Sequence, residues 1–152
     1  MKKLLLSLAL LATPAVLTVQ AAPASNPSIP YYASVEFSYL NQHIDPVTGH
    51  LITTGDGWGI GTFGRTAGPF NLDLDLSTLS FTGSRIAMAA DGSSYVVDFS
   101  GQFIDPIHSI GTFDVRDGTG RFEGLQASGT FSSAQWANGL GNSSFATGVA
   151  TF

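Results

Sequence analysis

Apolar and polar residues alternate along most of the chain beyond residue 30. The clearest stretch is Phe70-Asn71-Leu72-Asp73-Leu74-Asp75-Leu76, in which every second residue is apolar. Successive side chains of a β-strand point to opposite faces, so the Phe and Leu side chains here face a core and the Asn and Asp side chains face water. No apolar set recurs at helical spacing over a comparable length. The pattern therefore predicts an all-β protein.

Turn signals divide this alternating region into eight or nine short strands. Asp91-Gly92, Asp117-Gly118 and Asn138-Gly139 supply the positive φ values that tight turns require. Short strands at such spacing indicate a closed barrel or a sandwich. Glycine and threonine recur inside the strands, where small side chains let a sheet bend and close, so we predict an antiparallel barrel of about eight strands, with a sandwich as the alternative. The predicted strands span residues 33–40, 51–54, 57–63, 70–76, 79–88, 95–104, 109–115, 122–131 and 144–152.

The N-terminal residues have a different pattern, which is typical of a secretory signal peptide. Met1-Lys2-Lys3 is positively charged, residues 4–17 are mostly apolar, and residues 19–21 form a small-residue cleavage site. The apolar run at 4–12 is far shorter than the roughly 20 residues that span a bilayer. We therefore predict a cleaved signal peptide over residues 1–21, a secreted or periplasmic location, and no membrane span after cleavage.

Composition changes once that segment is removed. Residues 22–30 contain three prolines and predict a short extended lead-in to a single barrel domain at 31–152. Lys2 and Lys3 are the only lysines, so cleavage leaves four arginines against eleven acidic residues and moves the formal net charge from −5 to −7. Such a surface repels phosphates, and no nucleic-acid partner is expected. The chain has no cysteine, so the fold depends on its core alone.

One segment suggests a family. The segment spanning 110–124, Ile-Gly-Thr-Phe-Asp-Val-Arg-Asp-Gly-Thr-Gly-Arg-Phe-Glu-Gly, resembles the strand, glycine-rich turn and Arg-Phe-x-Gly strand of bacterial proteins in the allene oxide cyclase barrel-like superfamily, to which plant dirigent proteins are also similar. Asp117 stands where that turn has its first glycine, and residues 127–131 match the small-residue strand that follows. The resemblance implies an eight-stranded barrel with an apolar cavity.

The same resemblance identifies Glu36 as the candidate catalytic residue. Plant allene oxide cyclases have a glutamate on the first strand, where this chain has Ser34-Val35-Glu36-Phe37-Ser38. The asparagine expected two residues later is Ser38 here, which weakens the enzymatic interpretation. A single glutamate on a strand is more often an outward, solvated group.

A second group of polar residues could bind a metal ion. His43, Asp45 and His50 would supply two imidazoles and a carboxylate to zinc. Three ligands from one polar loop lack the rigid surroundings that such a site requires. We therefore predict no metal and no other cofactor, and keep these three residues as the candidates if one binds.

Three classes of function remain. We favour an exported, soluble, non-catalytic barrel that binds a small apolar molecule, with Phe37 and Trp58 as candidate binding residues. The alternatives are a cyclase-like or isomerase-like enzyme acting in the cavity and, third, a small outer-membrane barrel. Nucleophilic catalysis has little support, since there is no cysteine and no serine in a Gly-x-Ser-x-Gly turn. The apolar positions predicted for the core are Phe37, Leu72, Leu74, Val97, Phe99, Phe113 and Phe131.

Expression of the full chain tests the predicted export. We expect the periplasmic or culture fraction to contain a soluble protein cleaved after Ala21 or Ala22, because the charge, length and cleavage signals agree. Intact-mass spectrometry of that fraction measures the cleavage site. Recovery only as a full-length species that needs detergent would contradict the prediction.

Overall fold

Eight antiparallel strands close into a barrel, so the predicted barrel is confirmed over the sandwich. The computed structural model describes residues 27–152. The predicted signal peptide and residues 22–26 of the lead-in lie outside that range. No helix within it is long and apolar enough to cross a membrane. The strands are β1 Ile29–Ile44, β2 Leu51–Gly61, β3 Gly64–Asp75, β4 Ser80–Met88, β5 Ser94–Phe103, β6 His108–Arg116, β7 Gln126–Gln135 and β8 Gly141–Thr151.

Each strand pairs with its neighbours in sequence, and β1 also pairs with β8 to close the barrel. The two segments predicted at 51–54 and 57–63 are one continuous strand, β2, which is why the count is eight. Asp56 and the glycines around it suggest a break, yet the glycines at 55 and 57 are buried on the inner face while Asp56 is exposed on the outer one. The alternation therefore continues through the predicted gap.

The connection between β6 and β7 differs from the predicted hairpin. A short 3₁₀ helix, Gly120–Phe122, occupies it, and β7 begins at Gln126 rather than at Phe122. Gly120 and Gly124 adopt positive φ values of 59° and 80°, which turn the chain across the end of the barrel. Phe122 and Leu125 are thereby driven inward, and each is only 2% exposed.

Phenylalanine rings lie over glycines on the inner face of the barrel. A Cβ atom added at Gly83 would lie 2.5 Å from the ring of Phe99, and one at Gly111 would lie 2.6 Å from the ring of Phe131. Carbon atoms that are not bonded pack at about 3.5–4.0 Å, so neither ring leaves room for a side chain at the glycine beneath it. Glycine at these two positions thus makes room for the rings on the inner face of the barrel wall.

The two ends of the barrel are filled differently. One end of the barrel is where β7 begins and β8 ends, and we call it the closed end. Here the 3₁₀ segment covers the interior, and the core is apolar and buried. At the opposite end, which we call the open end, the turns between β1 and β2, β3 and β4, β5 and β6, and β7 and β8 surround the interior. The buried closed-end core comprises Tyr31, Ala33, Ala87, Ala89, Tyr95, Phe113, Val115, Phe122, Leu125, Ala127 and Ala150.

The turn between β3 and β4 is organised by Asp75. Its carboxylate accepts hydrogen bonds from the Ser77 hydroxyl at 2.6 Å, the Ser77 amide at 2.8 Å and the Thr78 hydroxyl at 2.9 Å. Because these donors favour the ionised carboxylate, the pKa of Asp75 is lowered to about 2. The turn is therefore held by a charge that acid removes.

We expect stability at low pH to depend on Asp75. A carboxyl whose pKa is lowered by folding contributes stability above its unfolded pKa, about 3.9, and that contribution is lost as the pH falls toward about 2. Asp75→Asn keeps an acceptor but does not titrate. Urea unfolding at a series of pH values should show a shallower acid decline in free energy for Asp75→Asn than for the unmodified chain, and equal slopes would contradict this account.

Candidate functional site

A cavity occupies the barrel interior between its middle and the open end. Its volume is about 100 Å³, and it is not fully enclosed. The closed-end core is fully buried, whereas the inward side chains of Phe37, Leu72, Val97, Phe99 and Phe131 are only partly so. All seven apolar positions predicted for the core line the cavity. Its lining is Tyr31, Ala33, Val35, Phe37, Tyr39, Gln42, Leu51, Thr53, Phe70, Leu72, Leu74, Phe81, Arg85, Val97, Phe99, Phe103, Ser109, Phe113, Phe131, Ser133, Gln135, Asn142, Ser144 and Ala146.

Nine aromatic residues, seven of them phenylalanine, line the cavity. Phe81 is central, with its ring centroid 5.7 Å from that of Phe103, 6.2 Å from that of Phe131 and 6.5 Å from that of Phe99. On the other side Phe37 and Phe70 meet edge to face at 4.9 Å. Rings in these arrangements present both faces and edges to the interior, a surface suited to an apolar or aromatic guest.

Polar side chains line the cavity toward the open end and bond mainly to one another. The Ser109 and Ser133 hydroxyls lie 2.6 Å apart, and the Asn142 amide nitrogen donates to the Tyr39 hydroxyl at 2.9 Å. The Asn142 Oδ1 is buried without a hydrogen-bond partner among the residues that the structure describes. The cavity therefore has a polar region toward its opening and an apolar middle.

Arg85 is the only charged side chain in the described lining of the cavity. It points inward from β4 and is 4% exposed. Its Nη2 donates to the carbonyl oxygens of Gly57 at 3.0 Å and Thr66 at 3.2 Å, and to the Thr66 hydroxyl at 3.2 Å. Its Nε is buried and has no partner within residues 27–152. Ion pairs in that range involve Arg116, Arg121 and two histidines, but not Arg85.

The surroundings of Arg85 leave a positive charge without a carboxylate. Burial lowers the pKa of its guanidinium, while nearby Tyr95 and Tyr31 act in the opposite direction. The ordinary pKa of arginine is so high that the group remains charged at neutral pH. Burial raises the pKa of the Tyr31 hydroxyl, which is therefore neutral and able to donate. The cavity thus has an uncompensated cation at the side nearer the closed end.

Glu36 and Trp58 lie on the outer wall, so neither lines the cavity. From Tyr31 to Tyr39 the inward residues of β1 are its odd-numbered ones, among them Phe37, and Glu36 points the other way. Its Oε2 accepts hydrogen bonds from the Ser143 hydroxyl at 2.7 Å and the Trp136 indole at 3.1 Å. Trp58 stacks at a tilt on Trp136, with ring centroids 6.3 Å apart. A carboxylate so placed cannot contact a molecule inside the barrel.

Two of the three residues considered for metal binding, His50 and Asp45, have other partners. His50 Nδ1 lies 2.7 Å from Asp73 Oδ1, on the outer wall. The Asp45 carboxylate accepts from the Val47 amide at 2.9 Å and the Thr48 hydroxyl at 3.1 Å. No group of three or more metal-ligating side chains lies together in the part of the chain that the structure describes. Asp45 thus organises the turn between β1 and β2.

The sequence analysis missed Arg85, although a signal was present. Alternation in the strand predicted at 79–88 places Phe81, Gly83, Arg85 and Ala87 on one face, and the apolar members identify that face as the inner one. A charged side chain that points into the barrel either links strands through hydrogen bonds or binds a ligand.

The fold and the site together define an antiparallel barrel with an aromatic, solvent-open cavity and one buried cation. Comparison with models of protein families, with curated proteins and with solved structures finds no match to this chain. What the cavity does must therefore be argued from its own geometry.

The asymmetric filling of the barrel predicts different costs for two substitutions. Phe122→Ala should lower the free energy of unfolding by about 3–5 kcal/mol, since Phe122 is 2% exposed in a buried apolar core. Phe131→Ala should cost less than half of that, because Phe131 already borders a cavity. Chemical denaturation measures both. Equal losses would show that the interior is filled from end to end.

Proposed function

We propose that this protein is an exported, soluble, non-catalytic barrel that binds a small apolar molecule in its cavity. The observation that carries the proposal is the cavity itself, about 100 Å³ and walled mainly by phenylalanine, leucine and valine. An apolar cavity of about 150 Å³ holds benzene in another protein, whereas pockets that bind drug-sized ligands have volumes of about 300 Å³ or more. The expected guest is therefore about the size of one aromatic ring, with any longer part reaching toward the open end.

The chemistry of the lining favours binding over catalysis. Burial raises the pKa of the two lining tyrosines, Tyr31 and Tyr39, further from neutral pH. General acid–base catalysis near neutral pH most often uses a carboxylate or an imidazole within hydrogen-bond reach of the substrate. The described lining contains neither, and Glu36 lies outside it. The eight strands and the cavity are what a relationship to allene oxide cyclase barrel-like proteins would imply. Membership of that superfamily stays a proposal, because unrelated families share such barrels.

The outer wall favours a soluble protein over an outer-membrane barrel. Asp73 and Asp75, which would face the lumen of a membrane barrel, lie on the outer face of β3. Asp98 and Asp114 are paired on the outer face of β5 and β6. Charged groups are unfavourable in the apolar band that faces lipid. These carboxylates support release of the mature chain into an aqueous compartment after export.

Filling the cavity should abolish binding. We expect toluene to bind saturably and to raise the melting temperature, because a ligand that binds only the folded state stabilises it. Val97→Phe places extra volume inside the cavity and should weaken binding at least about tenfold. Val96→Phe, the same change on the opposite face of β5, is the matched control and should bind normally. Isothermal titration calorimetry measures the affinities.

Two results would contradict the proposal. One is the absence of saturable toluene binding to the unmodified protein. The other is equal binding by the Val97→Phe and Val96→Phe variants, which would place the molecule elsewhere on the barrel.

A further inference from the structure

Arg85 has hydrogen-bonding capacity that the described residues leave unused. A guanidinium carries five N–H donors in a planar fork, yet the three hydrogen bonds of Arg85 all leave from Nη2. A Cβ atom added at Gly57 would lie 2.7 Å from Arg85 Nε and 3.1 Å from the Phe37 ring. The unpaired Nε therefore packs over bare glycine backbone, beside a ring that lines the cavity, and Nη1 donates none of the three hydrogen bonds.

This arrangement is unfavourable in an empty barrel. A buried charge is strongly destabilising unless a counter-charge and hydrogen bonds compensate it, and an unpaired buried donor adds a further penalty. A purely structural brace across β2 and β3 would need only the Nη2 bonds to Gly57 and Thr66. It would not account for the unpaired Nε or for the missing carboxylate. A bound anion would supply the acceptor and the negative charge together.

Building on the binding function proposed above, we propose that the ligand carries a carboxylate and that this group binds the Arg85 guanidinium inside the cavity. A carboxylate is planar and matches the guanidinium fork, and such charge-assisted hydrogen bonds strengthen away from water. The rest of the ligand is apolar and packs among Phe81, Phe99 and Phe131. The ligand class is thus a small aromatic or short aliphatic carboxylic acid.

Three probes separate the contributions to this site. Benzoate carries the ring and the charge, benzyl alcohol carries a similar ring without the charge, and acetate carries the charge without the ring. In calorimetric titrations at low ionic strength and neutral pH, benzoate should bind at least about tenfold more tightly than either of the other two. Acetate binding as tightly as benzoate would indicate a site for small free anions and would overturn the proposed ligand class.

Substitution of Arg85 tests its role. Arg85→Met should abolish the preference for benzoate over benzyl alcohol, because the substitution removes the positive charge that attracts the carboxylate. Arg116→Met is the matched control, because Arg116 is exposed on the outer wall, and it should keep the full preference.

A measurement on the unmodified protein does not depend on whether the variant folds. With ¹⁵N-labelled protein, benzoate should shift the Nε–Hε resonance of Arg85 and leave that of Arg116 in place, whereas benzyl alcohol should shift neither to a comparable extent. An unshifted Arg85 signal at saturating benzoate would overturn the proposal.

The remaining outcomes distinguish this inference from the function on which it rests. Equal affinity for benzoate and benzyl alcohol, or a preference that survives Arg85→Met, would overturn the role of Arg85 and leave the apolar binding function standing. If toluene, benzyl alcohol and benzoate all fail to bind, the binding function fails, and the carboxylate site fails with it.

Discussion

The structure depends on the limited space inside an eight-stranded barrel, which is just wide enough to be filled by side chains or to hold one small ligand. Every inward position competes for that volume, and glycines decide where rings can lie. Phe99 and Phe131 cover Gly83 and Gly111, where any side chain would collide with them. The aromatic wall and the small residues opposite it are therefore one feature. Where the 3₁₀ segment adds Phe122 the interior is full, and toward the open end a cavity remains.

That constraint also determines the electrostatics of the interior. The Arg85 side chain extends from β4 to Gly57 on β2, and it can lie there because Gly57 has no side chain. Apolar neighbours exclude water, so the guanidinium loses hydration without gaining a carboxylate in the described lining. The same environment that makes this charge unfavourable in an empty barrel would strengthen its attraction for an anion. Stability and binding are thus linked through one buried side chain.

The sequence predicts the barrel and its inner face well, because period-two alternation is a local property and is interrupted in β1 only by the register shift after Tyr39. Prediction fails where the outcome depends on distant residues. Phe122 was assigned to a strand, but the turn that buries it is shaped by two positive-φ glycines packed across the end of the barrel. The contact between Glu36 and Trp136 joins residues 100 apart in sequence, and the partners of Arg85 are set by closure of the sheet. The alternation is enough to predict an interior and to point Arg85 into it, but not to predict the cavity volume or the hydrogen-bond partners of Arg85.

The barrel interior is proposed to be a binding site in which the charge of Arg85 selects a ligand that carries a carboxylate. A crystal structure of the mature protein grown with 4-bromobenzoate tests this most directly, since the anomalous signal of bromine locates the ring without reference to the protein. Bromine is expected inside the barrel among Phe81, Phe99 and Phe131, with a carboxylate oxygen about 2.7–2.9 Å from a nitrogen of the Arg85 guanidinium. Bromine found only on the outer wall, beside Trp58, or no ordered bromine at a saturating concentration, would contradict it.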